Sequence, residues 1–422
     1  MKVLGGIVRF GNSMEIASPT REPVVALTPK RIESIDVLRG IVMVVMALDH
    51  TRDFFHSAGF TDDPLNLATT TVPLFFTRWI THFCAPVFVF LSGTSIYLQS
   101  LRKSTRELSV FLLKRGLWLI FVEVVVMSFV WTFNPFYNVI FLQVIWAIGI
   151  SMVLMGLLVY LPFGAILTIG LAIVLGHNLL DVPEAAPDFN PGFWWNLFHS
   201  DNFTLYEYLP NHFLIILYPF VPWTGVMILG YCTGRFFAPS WEASRRKTYL
   251  IFLGLGLILF FVVLRFSNWY GNPEPWTAQK NGLFTLLSFI DTHKYPPSLL
   301  YLCMTIGPSL ILLAYLENIK NSLTDKFRIF GRTAFFYYIL HFYLIHMLAA
   351  LNFFVRGYTF QEGVDYVVAN QNPFLFAWPE NGFSLWGVYG VWIFVVVVLY
   401  PVCRWYNAYK TAHPEKWWLS YL

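Results

Sequence analysis

The string DVLRGIVMVVMALDHTRDFFH, residues 36–56, decides how the rest of the chain is read. A continuous apolar run, 41–48, is bracketed by ionisable groups: Asp36 and Arg39 before it, and Asp49, His50, Arg52 and Asp53 after it. A bilayer-crossing helix needs roughly 20 mostly apolar residues, and this stretch has that length with its charges gathered at the two ends. Ionisable groups inside a membrane helix cost about 2.5–3.5 kcal/mol each on insertion scales, so they face a cavity or a partner. Arg39 and His50 are 11 residues apart. At 100° per residue that is three turns and about 20°, which puts them on one face about 16 Å apart along the axis. One stripe of this helix therefore joins one rim of the membrane to its opposite half.

Composition extends the reading to the whole chain. Of 422 residues, 57% are apolar, 19% aromatic and only 12% charged, against about 25% charged in an ordinary soluble domain. With so little polar surface the solvent is the bilayer, and the net charge of +4 matters less than where the charges sit. Ten segments have the length and apolarity of a span: 36–56, 71–98, 109–131, 139–160, 162–180, 212–235, 248–267, 296–316, 330–352 and 384–408. With the N-terminus inside, the inner segments hold 21 of the 28 Lys and Arg residues, clustered at 2–31, 102–115, 235–247, 320–332 and 404–416. Basic inner loops set orientation. The expectation is an all-α polytopic membrane bundle of about 10 transmembrane helices (10–11) with both termini cytoplasmic. It divides into a cytoplasmic extension at 1–34, a helical domain at 35–410 and a cytoplasmic tail at 411–422. Residues 1–34 show no apolar h-region with a small-residue cleavage site, so no signal peptide is expected. Cys84, Cys232, Cys303 and Cys403 lie in or beside apolar runs without CxxC pairing and read as buried free thiols. The long outer loops, 181–211, 268–295 and 353–383, are rich in Trp, Pro, Asn and Gly. They read as an aromatic interface belt or as a platform for a carbohydrate or lipid headgroup.

The other spans carry polar groups too. Arg78 and His82 stand at i, i+4 in the second, and counting from the outer end places His82 near the depth of His50. The third holds Glu123, the fourth Gln143 and Trp146, and the ninth Arg332, Tyr337, Tyr338, His341 and His346. Plainer readings stand beside the functional ones. Asp49 with Arg52, or Asp53 with a neighbouring Arg, makes an interfacial ion pair. Arg78 with Glu123 makes a buried salt bridge, and His346 an interhelical hydrogen-bonder. His50 and His82, two mid-depth imidazoles near acids, form a proton-handling set. His50, His82 and His341 come from three helices without the clustered spacing of a metal site, so no metal is predicted. No Gly-rich phosphate loop, nucleophile elbow or Cys nucleophile motif is found, and no nucleic-acid partner is expected.

Arg39-Gly40 near the start of the first helix, with His50 eleven residues on, resembles the transmembrane acyltransferases. A fuller resemblance is to uncharacterised bacterial membrane proteins related to heparan-alpha-glucosaminide N-acetyltransferase, grouped as a domain of unknown function. It is carried by Ala47-Leu48-Asp49-His50-Thr51-Arg52-Asp53-Phe54, by Thr77-Arg78-Trp79-Ile80-Thr81-His82-Phe83-Cys84-Ala85-Pro86, and by Tyr218-Pro219 with Pro222-Trp223. Lys294-Tyr295-Pro296-Pro297-Ser298, Phe330-Gly331-Arg332 and Trp418-Leu419-Ser420-Tyr421-Leu422 extend it through almost the whole chain. The resemblance implies a bundle of ten or eleven helices in the bacterial inner membrane. It also implies transfer of an acyl group, above all acetyl, from cytosolic acyl-CoA (acetyl-CoA) to a sugar or glycan hydroxyl or amine on the far side. His50 is then the general base, Asp49 orients it, and His82 is the alternative base. Arg39 lies along the donor path, and Arg78, Glu123, Gln143, Trp146, Tyr338, His341 and Arg332 line the donor or acceptor site.

Without the resemblance, His50, Asp49, Glu123 and Arg78 also suit a proton-coupled carrier, although the two halves show no inverted repeat of the kind that marks that class. A membrane scaffold with inert buried polar groups is a third reading. A coenzyme A site predicts that Lys114, Arg115 or Arg332 converge on the inner mouth of the cavity holding His50, and a carrier predicts a closed gate there. The apolar spans would allow a homodimer.

Overall fold

Each of the ten apolar segments contains a helix in the computed structural model, which describes residues 31–200, 204–370, 373–378 and 382–420. Most of the expected extension at 1–34, and the last two residues of the expected tail, lie outside the described residues. α1 (Glu33–Phe55) is a single helix. The second segment, read from sequence as one span, is two helices, α2 (Val72–Thr81) and α3 (Cys84–Ser100), interrupted at His82. The cause is Pro86, whose ring lacks an N–H and crowds the carbonyl four residues back, that of His82. Freed from the helix, that carbonyl accepts from Tyr301 Oη at 2.7 Å. α4 (Thr105–Phe121) starts at a capping box, Ser104 with Glu107. It runs through a π-helical turn, Val122–Met127, into α5 (Ser128–Thr132).

Two segments begin as strands, which the sequence reading did not expect. β1 (Val139–Leu142) precedes α6 (Val144–Leu158). After α7 (Phe163–Gly176), α8 (Asp181–Glu184) and α9 (Phe193–Phe198) come β2 (Leu205–Leu209) and β3 (His212–Ile216), then α10 (Phe220–Gly234). The sheet order is β1-β3-β2, with β1 parallel to β3 (Val139 opposite Phe213) and β2 antiparallel to it. The remaining helices are α11 (Ala243–Ser267), α12 (Gly282–Ile290), α13 (Leu299–Leu316), α14 (Ser322–Arg332), α15 (Ala334–Val355), α16 (Phe360–Asn370) and α17 (Leu385–Ala412).

From Ile32 onward the chain packs as one unit, and α1 lies within it against α2, α3, α13, α14, α15 and α17. Close helix contacts rest on small residues, as is usual in membranes. A Cβ on Gly93 of α3 would fall 2.0 Å from the Met227 carbonyl of α10, so only glycine fits there. Among the described residues, six helical stretches suffice by length and composition to cross a bilayer: α2–α3 taken together, α7 extended to Glu184, α11, α13, α15 and α17. α1 misses that criterion through its charges, and α6 and α10 through a length of 15 residues each. The protein is an integral membrane helix bundle.

Candidate active site

Two polar clusters occupy α1, one at each end. At its Glu33 end, Asp36 is 3% exposed and lies 3.4 Å from both Arg39 Nη1 and Arg332 Nε. Arg39 also donates to Ser95 Oγ at 3.0 Å. α14 reaches Asp36 because Gly331 lets two backbones touch. A Cβ there would fall 1.7 Å from the Asp36 carbonyl. Arg39 and Arg332, far apart in sequence, thus share one carboxylate.

The second cluster surrounds His50, about 21 Å further along the helix at 1.5 Å per residue. Its ring lies 4.0 Å from Phe342, 5.4 Å from Trp131 (edge-on) and 5.5 Å from His341, centroid to centroid. Beside the ring stands Asp53, with Oδ2 3.7 Å from His50 Nδ1, beyond hydrogen-bond length. Asp49, expected from sequence to orient His50, holds Arg78, with Arg52 at 3.2 Å. The physical reason is helical phase: Asp53 is one turn above His50, while adjacent residues point about 100° apart. Arg52 pairs with Asp53 as well, so two carboxylates and two guanidiniums form one chain from Arg78 to His50, buried at Asp49 and Arg52 and half-buried at its ends. Such charges are stable in a low-dielectric interior only when each has a partner.

Arg78 pairs with Asp49 and not with Glu123, which overturns the alternative of an Arg78–Glu123 salt bridge. Glu123, fully buried in the π-helical turn, instead accepts the backbone N–H of Gln143 at 3.0 Å and caps the start of α6. Gln143 and Trp146 therefore meet Glu123 through the α6 backbone. Tyr338 stacks edge-on to His341 and Phe342, at 5.7 and 5.3 Å. His82, 1% exposed, lies edge-on to Tyr301 at 5.3 Å, and Asp49 is within Coulombic reach of both histidines. His346 bridges the Val130 and Leu375 carbonyls, each at 2.7 Å, and is the interhelical hydrogen-bonder that sequence suggested.

Sequence reasoning missed Trp131 and Phe342, which wall His50, and Lys294, whose charge reaches Asp49 and His82 from the loop before α13. Only the Lys294-Tyr295-Pro296 string hinted at Lys294. Away from α1, Asp181, Glu184 and His199 bring ligand atoms within 4.8 Å of one another. Asn178 already donates to Asp181 at 2.7 Å and Trp195 to Glu184 at 2.7 Å, while His199 Nδ1 sits 2.8 Å from Glu184. A hydrogen-bonded loop cluster accounts for that trio.

An imidazole with a carboxylate behind it, walled by aromatic rings and joined along one helix to a pair of arginines, suits proton removal beside an anionic ligand. Residues 31–269, more than half of the chain, match a family model described as heparan-alpha-glucosaminide N-acetyltransferase, catalytic. The chain belongs to that family. The match contains His50, Asp53, Arg78, His82 and Glu123, whereas Lys294, Arg332 and His341 come from beyond it and complete the same clusters. The family makes the protein a membrane acetyltransferase in kind. No curated protein matches the chain.

Proposed function

We propose that this protein takes an acetyl group from cytosolic acetyl-CoA and transfers it to an amine or hydroxyl of a sugar or glycan on the far side of the membrane. In this reading ten helices cross the bilayer, both termini are cytoplasmic, and the membrane is a bacterial inner membrane. The observation that carries the proposal is the stripe on α1. Arg39 and Arg332 converge at one end, where coenzyme A phosphates would meet them, and His50 stands about 16 Å beyond Arg39 along the helix. The pantetheine arm reaches along that stripe and presents the thioester to His50. His50, steadied by Asp53, removes the acceptor proton as the nucleophile attacks the carbonyl carbon, and the C–S bond breaks to release coenzyme A. A positioned base of this kind contributes about 10²–10⁴-fold, and holding donor and acceptor together adds proximity.

The test is binding of acetyl-CoA to the detergent-purified chain, wild type beside Arg39→Ala, Arg332→Ala, His50→Ala and Asp53→Asn. Saturable binding that weakens with loss of either arginine, and survives loss of His50 or Asp53, is the expected result. A folded wild type that binds no acyl-CoA refutes the reading and favours a proton-coupled carrier built on the Arg78–Asp49–Arg52–Asp53–His50 chain.

A further inference from the structure

His341 has a fixed tautomer. Its Nδ1 lies 2.9 Å from the Tyr337 carbonyl one turn back. A carbonyl only accepts, so Nδ1 carries the hydrogen and Nε2 holds the lone pair. That Nε2 is buried with no hydrogen-bond partner among the described residues, and the ring is fully buried. A buried, unpaired nitrogen forfeits about 1–3 kcal/mol and calls for a chemical reason. The ring faces His50 at 5.5 Å and stacks on Tyr337 at 5.2 Å, 9° from parallel.

The two rings are neighbours on helices that both begin near the Asp36–Arg332 rim. We infer that His341 is the second proton carrier of the transfer, passing the proton that His50 collects to the departing thiolate. The inference rests on the acyltransferase reading above. Atoms balance: the acceptor N–H or O–H proton goes to His50, the acceptor–carbonyl bond forms and the C–S bond breaks. The proton moves to His341 Nε2 and then to the coenzyme A sulfur, leaving both imidazoles neutral. Because Nδ1 is committed to Tyr337, Nε2 is the one nitrogen of His341 that exchanges a proton. The other titratable groups around the pair are Asp53 on α1, Glu123 on the π turn beside Tyr338, Tyr337 and Tyr338 on α15, and Cys403 of α17 beside Tyr337.

The discriminating variant is His341→Asn, whose amide nitrogen takes the place of Nδ1 and keeps the Tyr337 contact while Nε2 is lost. Full-length protein in detergent is given acetyl-CoA and, as acceptor probe, glucosamine, and thiol release is followed across pH. Wild-type kcat should hold on the alkaline side and fall on the acid side with a log slope of about two, because either imidazole blocks the relay if it starts protonated. His341→Asn should bind acetyl-CoA within about twofold of wild type, lose about 10²-fold in kcat, and leave an acid limb with a slope of about one. His341→Asn with kcat within threefold of wild type, or with the wild-type acid slope, overturns the inference and leaves the acyltransferase reading standing. If His341→Asn and His341→Gln both lose acetyl-CoA binding, His341 is structural and the inference fails. A folded wild type that releases no thiol fails the acyltransferase reading itself, and the inference with it.

Discussion

Replacing Arg78 by Met removes one end of the buried charge chain with little change in volume. Asp49 would then keep only Arg52, at 3.2 Å, and Arg52 is already shared with Asp53. Breaking a buried pair by deleting one partner costs about 3–5 kcal/mol, because a charge is left uncompensated. Since Arg52 and Lys294 still act on Asp49, the lower end, about 3 kcal/mol, is expected. Asp49→Asn alone should cost a similar amount by stranding Arg78. The double variant Arg78→Met/Asp49→Asn strands neither and should cost clearly less than the two singles together, a coupling of about 1–3 kcal/mol. The assay is unfolding in mixed micelles at rising SDS, read through the fluorescence of the 16 tryptophans. Costs that simply add in the double variant, or a loss below about 1 kcal/mol for Arg78→Met, would show that the chain is not an interacting unit.

Two further outcomes follow from other parts of the molecule. Gly331→Ala puts a Cβ 1.7 Å from the Asp36 carbonyl, so α14 must retreat by about that distance at a cost of about 1–3 kcal/mol. Acetyl-CoA affinity should fall as Arg332 leaves the rim, whereas Gly164→Ala, with open space around it, should leave affinity unchanged. In the loop before α13, burial, with the Asp63 charge adding to it, holds the Asp291 carboxyl up at about 7. An acid raised above its unfolded value of 3.8 favours folding when protonated, so stability falls as pH rises from about 4 to about 7. Asp291→Asn should therefore raise the unfolding midpoint at pH 8 and not at pH 4. The gain has an upper bound of about 4 kcal/mol at 1.36 kcal/mol per pH unit, reduced by whatever water reaches the side chain. An equal shift at both pH values would refute the assignment.

The stripe on α1 was legible in sequence because helical periodicity alone aligns Arg39 with His50. The partners of that stripe were only half legible. Asp49 and Asp53 flank His50 in sequence, and the choice between them needs the i, i+3 geometry that leaves Asp53 near the ring and gives Asp49 to Arg78. Trp131 and Lys294 reach the site by tertiary folding, from 81 and 244 residues beyond His50, and no local pattern announces them. The strands β1 and β3 were hidden for another reason. Each is a run of four or five residues that continues into an apolar helix, and periodicity cannot divide such a run. Both of those segments still contain a helix, because each strand only shortens the helix it precedes. The break at His82 was written in Pro86, four residues later, though as a weakened helix rather than as two.

The π-helical turn at Val122–Met127 has a consequence for how this protein tolerates change. A π turn amounts to one residue inserted into an α-helix, so the faces before and after it are out of register by about 100°. α4 uses its face against α6, while beyond the turn Trp131 presents its ring edge to His50. The two halves are separately adjustable: substitutions in α4 can reshape its packing without disturbing the wall of the site. Deleting a single residue between 122 and 127 lets this stretch close into ordinary α-helix while the segments on either side keep their faces. What the extra residue supplies is the wide turn from which Glu123 accepts the Gln143 N–H.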